Sequence, residues 1–130
     1  MGKDIRNFLV AGLALAAVAA AAAPSAGAAE PVSFANHVSV IIHNRCVACH
    51  QPGGDGFEKS GLDLRTYAGL MKGTKHGPIV VPGNAFMSNL NVLVEGRAAT
   101  AIRMPHNQQP LSAHEIAVLR RWVDQGAEDN

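Results

Sequence analysis

The two cysteines of this 130-residue chain stand three positions apart, in Cys46-Val47-Ala48-Cys49-His50. A disulfide between them would close a tiny loop and brace almost nothing. Yet the chain opens with what reads as an export leader, and exported proteins favour disulfides. Lys3 and Arg6 form a positive start, Phe8 to Ala23 an apolar run, and Ala26-Gly27-Ala28 a small-residue cleavage site. The apolar run is short for a membrane span. Residues 1–28 are therefore expected to be a signal peptide, removed after Ala28 or Ala29, and 29–130 the mature domain, placed in the periplasm. The cysteines then have some role other than stapling the chain.

Composition sharpens this. Hydrophobic residues make up 48% of the chain but aromatics only 5%. Most of the leader is alanine, so the domain itself is only ordinarily apolar and its core is thin. A small domain of this kind is marginal without a bound group. The formal net charge is +1, and near zero once the leader is gone. That excludes a nucleic-acid binder, which needs a basic surplus.

Two thiols three positions apart on a helical turn point the same way, and the next residue presents an imidazole beside them. Cys-x-x-Cys-His is the attachment signature of a c-type haem: each thiol bonds a vinyl group as a thioether, and the imidazole binds iron from one side. One covalently bound haem c on Cys46 and Cys49, with His50 on the iron, is the expectation. A thioredoxin-like redox pair needs a preceding strand and a βαβ setting, which the helical approach does not supply. A haem-free zinc site could recruit His43, Cys46, Cys49 and His50, although neighbouring Cys49 and His50 rarely point at one tetrahedral centre.

For the other face of the iron the candidates are Met71, Met87 and Met104. Met71 and Met87 fall on predicted apolar helix faces, where methionine fills the core. Met104 lies in a loop before Pro105, with enough chain after His50 to travel around the ring, and is the preferred ligand. His106 is a rival that would give bis-histidine ligation, and His76 a weaker one.

Four helices are predicted, with an all-α domain as the result. The first starts at Ser33 and carries Phe34, Val38, Ile41, Ile42 and Arg45 into the cysteine segment, its apolar positions at helical spacing. Gln51 to Gly61, rich in glycine, reads as a loop. The second covers Leu64 to Lys72 and stops at Gly73. Ile79-Val80-Val81 could be an isolated extended strand. The third runs from an Asn84 cap through Met87, Leu90 and Val94 to Gly96. The fourth opens on Ser112-Ala113-His114-Glu115, a capping box, carries Ile116, Leu119, Trp122 and Val123, and stops at Gly126. Ile79, Val80, Val81, Leu90, Ile102, Leu119 and Trp122 are the expected apolar walls of the haem.

With these residues in view, the mature domain resembles a class I cytochrome c. Ser60-Gly61-Leu62-Asp63-Leu64-Arg65 and Gly77-Pro78-Ile79-Val80-Val81-Pro82-Gly83 resemble, more narrowly, the small planctomycete-type cytochrome c domain. So do Arg103-Met104-Pro105 and the stretch from Leu111 through Trp122 to Ala127. The resemblance implies a cytochrome c fold, helices wrapped around one haem with the first and last crossing, His50 proximal and Met104 distal. His106 departs from the family pattern, in which a second proline or small residue often follows Met-Pro.

The function expected is that of a monomeric, monohaem one-electron carrier, exchanging electrons with unidentified redox partner proteins and lacking a membrane span in its mature form. No paired carboxylates or activated nucleophile point to an enzyme. A five-coordinate or bis-His haem sensor or enzyme subunit, and the zinc module, are the alternatives. Lys59, Arg65, Lys72, Lys75, Arg97 and Arg103 could gather around a haem edge and steer an acidic partner, or be scattered solvated charges.

Overall fold

The computed structural model describes residues 30–130; the expected leader lies outside the described residues. Among the described residues there are helices and no strand, as an all-α domain requires. A wide turn over Phe34–Val38 runs directly into α1 (Ser39–Arg45); α2 is Asp55–Ser60, α3 Tyr67–Lys72 and α4 Asn89–Val94. A 3-10 turn at Thr100–Ile102 precedes α5, Ala113–Asp124. No helix of these residues is long and apolar enough to cross a membrane.

The first and last segments meet, as expected. The Ser33 side chain caps the opening turn at the Asn36 N–H, while the Ala35 and Phe34 amides donate to Asn130. Phe34, Tyr67 and Trp122 form an aromatic cluster with ring centroids 5.1, 5.6 and 6.4 Å apart, Tyr67 edge-to-face with both partners and Phe34 tilted against Trp122. Rings at such distances add packing energy beyond their burial. Trp122 is almost wholly buried, and its Nε1–H donates to the Glu128 carbonyl at 3.0 Å. This cluster, with Val38, Leu70 and Val123, is the apolar centre of the domain.

Four local expectations need correcting. Gln51 to Gly61 is not wholly a loop, because Asp55–Ser60 is a helix begun at Gly54 and stopped by Gly61 in the left-handed conformation. Glycine content hid it. The second helix begins at Tyr67 rather than Leu64: the Asp63 carboxylate accepts from the Arg65 N–H, turning the chain, and Thr66 caps α3 by accepting from Gly69. Asn84 caps a turn, accepting from the Met87 N–H, and α4 starts only after Ser88. Met87 is consequently exposed, not core. Ile79-Val80-Val81 has no strand partner. Its backbone pairs instead with the start of α4, the Ile79 carbonyl accepting from Leu90 N–H and the Val81 N–H donating to Ser88 Oγ.

The capping box at Ser112 forms as read, and α5 gives way to Gly126 at φ 111°. The Ser112 N–H first, with the Arg45 guanidinium also contributing, holds the Glu115 carboxyl below its ordinary value of 4.5. A depressed carboxylate stabilises the fold above its unfolded value and loses that contribution as pH falls through the folded one. Ser112→Ala should cost about 1 kcal/mol in urea unfolding at neutral pH. Glu115→Gln should be less stable than the parent at pH 7 and converge with it in acid, below 4.5.

Candidate functional site

The Cys46–His50 segment leaves α1 as a short turn. Cys46 N–H still bonds to the Ile42 carbonyl, and the Cys49 and His50 amides both donate to the Cys46 carbonyl at 3.2 and 3.0 Å. That places the two cysteines and the histidine on one tight coil. Two further bonds fix its direction: Phe57 N–H donates to the Cys49 carbonyl at 2.9 Å and Leu64 N–H to the His50 carbonyl at 2.8 Å. The first draws α2 against the turn. The second lays the extended Leu62-Asp63-Leu64 segment alongside it.

Cys46, Cys49 and His50 then line one side of a cavity of ≈ 670 Å³, within the usual span for a cofactor pocket, roughly 300–1,000 Å³. Leu62, Leu64, Ile79, Leu90, Leu93, Val94 and Ile102 supply apolar walls, Met104, Pro105 and His106 also line it, and polar residues including Arg45, Asp55 and Lys59 contribute to the rest. Met104 is half-buried, packs against the core, and is held by its N–H to the Leu93 carbonyl at 3.2 Å. The expected ligand set thus meets around a single cavity. Met71, Met87 and His76 do not line it.

The wall residues read from sequence divide. Ile79, Leu90 and Ile102 line the cavity; Val80, Val81, Leu119 and Trp122 do not. Val81 is exposed, whereas Val80, Leu119 and Trp122 belong to the buried core. An apolar residue on an apolar helix face can serve either purpose, and sequence pattern does not distinguish them. Leu62, Leu64, Leu93 and Val94 were missed. The alternation Leu62-Asp63-Leu64 was a legible signal for the two leucines, since it puts both on the same face of an extended segment, and Val94 was legible only as part of an apolar helix stripe.

Electrostatics separate the two thiols. Cys46 is the more buried, and burial pushes its thiol up to about 11, so it stays protonated near neutral pH. Cys49 is exposed. Burial lowers the His50 pKa from its ordinary 6.5, with the Leu62 backbone opposing. The ring is therefore neutral at pH 7, the form a metal requires. Its Nδ1 is buried with no hydrogen-bond partner. Among the described residues, no group of three or more His, Cys, Asp or Glu side chains gathers as a metal cluster, and His43 lies exposed away from the cavity. The zinc set of His43, Cys46, Cys49 and His50 is not assembled.

A haem fits the residues present. Two thiols, a neutral imidazole with an unpartnered buried nitrogen, and a thioether border one apolar cavity of cofactor size. A glycine clears the space around the imidazole. A Cβ on Gly56 would lie 2.7 Å from His50 Cε1 and 2.9 Å from its Nδ1. Of the six basic residues with a possible steering role, only Lys59 lines the cavity. Arg65 and Arg97 are paired with Asp63 and Glu95.

The family model described as planctomycete cytochrome C matches residues 46–106, from the first cysteine to just past Met104-Pro105. Over that span the chain carries the pattern of this family, and its helical architecture is that of an all-α, cytochrome c-like fold. No curated protein and no solved structure matches the chain.

Gly56→Ala tests the clearance around His50. Alanine is the better helix former by about 1 kcal/mol, yet its methyl must displace the ring or the Cys49 carbonyl. Overpacking of this kind costs about 1–3 kcal/mol. The variant should be less stable in urea despite its propensity gain, with shifted His50 ring resonances.

Proposed function

We propose that this protein is a monohaem c-type cytochrome that carries single electrons between redox partner proteins outside the cytoplasm. The observation that carries this is the meeting of Cys46, Cys49, His50 and Met104 around one apolar cavity, in a chain matching the planctomycete cytochrome C family. Cys46 and Cys49 would hold the haem through thioether bonds, His50 and Met104 would take the two faces of its iron, and the bound group would supply a one-electron Fe(III)/Fe(II) couple.

The chain's own work is to hold and to shield. The buried turn fixes the imidazole, and its low pKa keeps the ring neutral and available. Leu62, Leu64, Ile79, Leu90 and Val94 exclude water from the cavity. A dry wall disfavours the additional charge of the oxidised state, and a methionine thioether likewise favours the reduced one. Both raise the potential. The leader expected from sequence over residues 1–28 supports action in the periplasm, where haem attachment occurs. A near-neutral surface supports a protein partner rather than nucleic acid. His106 lines the same cavity as Met104, which supports a second reading with bis-histidine ligation.

Protein matured with haem-attachment machinery should keep its haem through acid-acetone extraction. Cys46→Ala with Cys49→Ala should release it. Met104→Ala should lose the near-infrared sulfur-to-iron band of the oxidised protein and fall in midpoint potential. An unchanged spectrum in that variant would favour His106.

A further inference from the structure

Arg45, the residue just before Cys46, ends α1, lines the cavity beside the thiols, and reaches from there to the segment that leads into α5. Its Nη1 donates to both Glu115 carboxylate oxygens at 3.1 and 3.3 Å. Its Nη2 donates to the Gln109 carbonyl at 2.6 Å, with a longer contact to Pro110 at 3.4 Å. The guanidinium fork thus grips the capping box of α5 and the loop leading into it. Such a fork suits arginine and not lysine, which offers a point charge on a flexible stem.

The loop has little else to hold it. Met104 is pinned by its N–H to Leu93, and Ser112 by its N–H to Glu115. Between them, residues 105–111 make a local turn at His106–Asn107, and the side-chain hydrogen bonds that reach them from outside the loop are those from Arg45. Residues 106–110 are all exposed, and only Leu111 is anchored by burial. The Arg45–Glu115 pair itself is largely shielded, with side chains 24% and 20% exposed. An ion pair with hydrogen-bonded geometry and partial burial contributes more than an ordinary surface pair.

We infer that Arg45 is a positioning residue that clamps the Met104 loop over the cavity, tying the thiol-bearing turn to the segment that supplies the second iron ligand. This rests on the cytochrome reading above. In its absence the loop keeps only its end anchors, and Met104 yields more readily to a competing ligand.

The test is displacement of Met104 by added imidazole in oxidised, haem-loaded protein, followed by loss of the near-infrared band. Arg45→Ala should bind imidazole about tenfold more tightly than the parent, a difference of roughly 1.4 kcal/mol. Arg45→Lys should fall between the two, and serves if the alanine variant folds poorly. Arg120→Ala is the control: it breaks the Arg120–Glu95 pair, 2.8 Å, between α5 and the end of α4, and contributes nothing to residues 105–111. It should leave imidazole affinity unchanged even if urea stability falls. Equal affinity in the parent and in Arg45→Ala and Arg45→Lys, with covalent haem present, would overturn the role of Arg45 alone. So would an equal increase in Arg120→Ala, which would make the effect one of general stability. A chain that takes up no haem would overturn the cytochrome reading and this inference together.

Discussion

Two backbone hydrogen bonds set the direction of the Cys46–His50 turn, and the site depends on them. Phe57 N–H to the Cys49 carbonyl and Leu64 N–H to the His50 carbonyl use acceptors of the turn that follows α1. Buried backbone carbonyls outside a helix or sheet need donors from elsewhere in the chain. Here the donors come from α2 and from the Leu62-Asp63-Leu64 segment, so satisfying the turn also assembles its surroundings. Gly56 comes to lie against the imidazole, Leu62 and Leu64 form a wall, and the thiols face the cavity with the histidine.

The domain consequently has two apolar regions with different purposes. One is a protein core in the usual sense, built by Phe34, Tyr67 and Trp122 with the buried faces of α1, α3 and α5. The other is the wall of the cavity, drawn from α4, the extended segment and the 3-10 turn. Leu62, Leu64, Ile79, Leu90 and Val94 belong to both. A chain with few aromatics and short helices can form its first region by conventional packing. Under the function proposed, the second is completed by the haem, making a cofactor part of the core as well as the reactive centre.

Which residues would meet at the cavity was legible in the sequence, and much of the framing around them was not. Cys46, Cys49 and His50 form a local motif, so spacing alone could bring them together. Met104 was readable because it combined a loop position, an adjacent proline and a following helix cap. The capping box at Ser112 and Glu115 is likewise a local pattern. In contrast, α2 was hidden because its glycines resemble loop residues, although each has a separate role. Gly54 starts the helix, Gly56 leaves clearance for His50, and Gly61 ends it in the left-handed conformation. Leu119 and Trp122 were assigned to the wrong apolar region, because periodicity tells which face is buried and not what covers it. Arg45 is legible as part of the first helix but not in its role, since its partners, Gln109, Pro110 and Glu115, are more than sixty residues away in sequence.

The most direct test of the cytochrome reading is a potentiometric titration of the matured protein, followed optically into the near infrared. One reversible one-electron transition is expected, from a haem that stays with the polypeptide, with the sulfur-to-iron band present in the oxidised form. High-spin, five-coordinate iron in the untreated oxidised protein, or no redox-active chromophore on the chain, would contradict it.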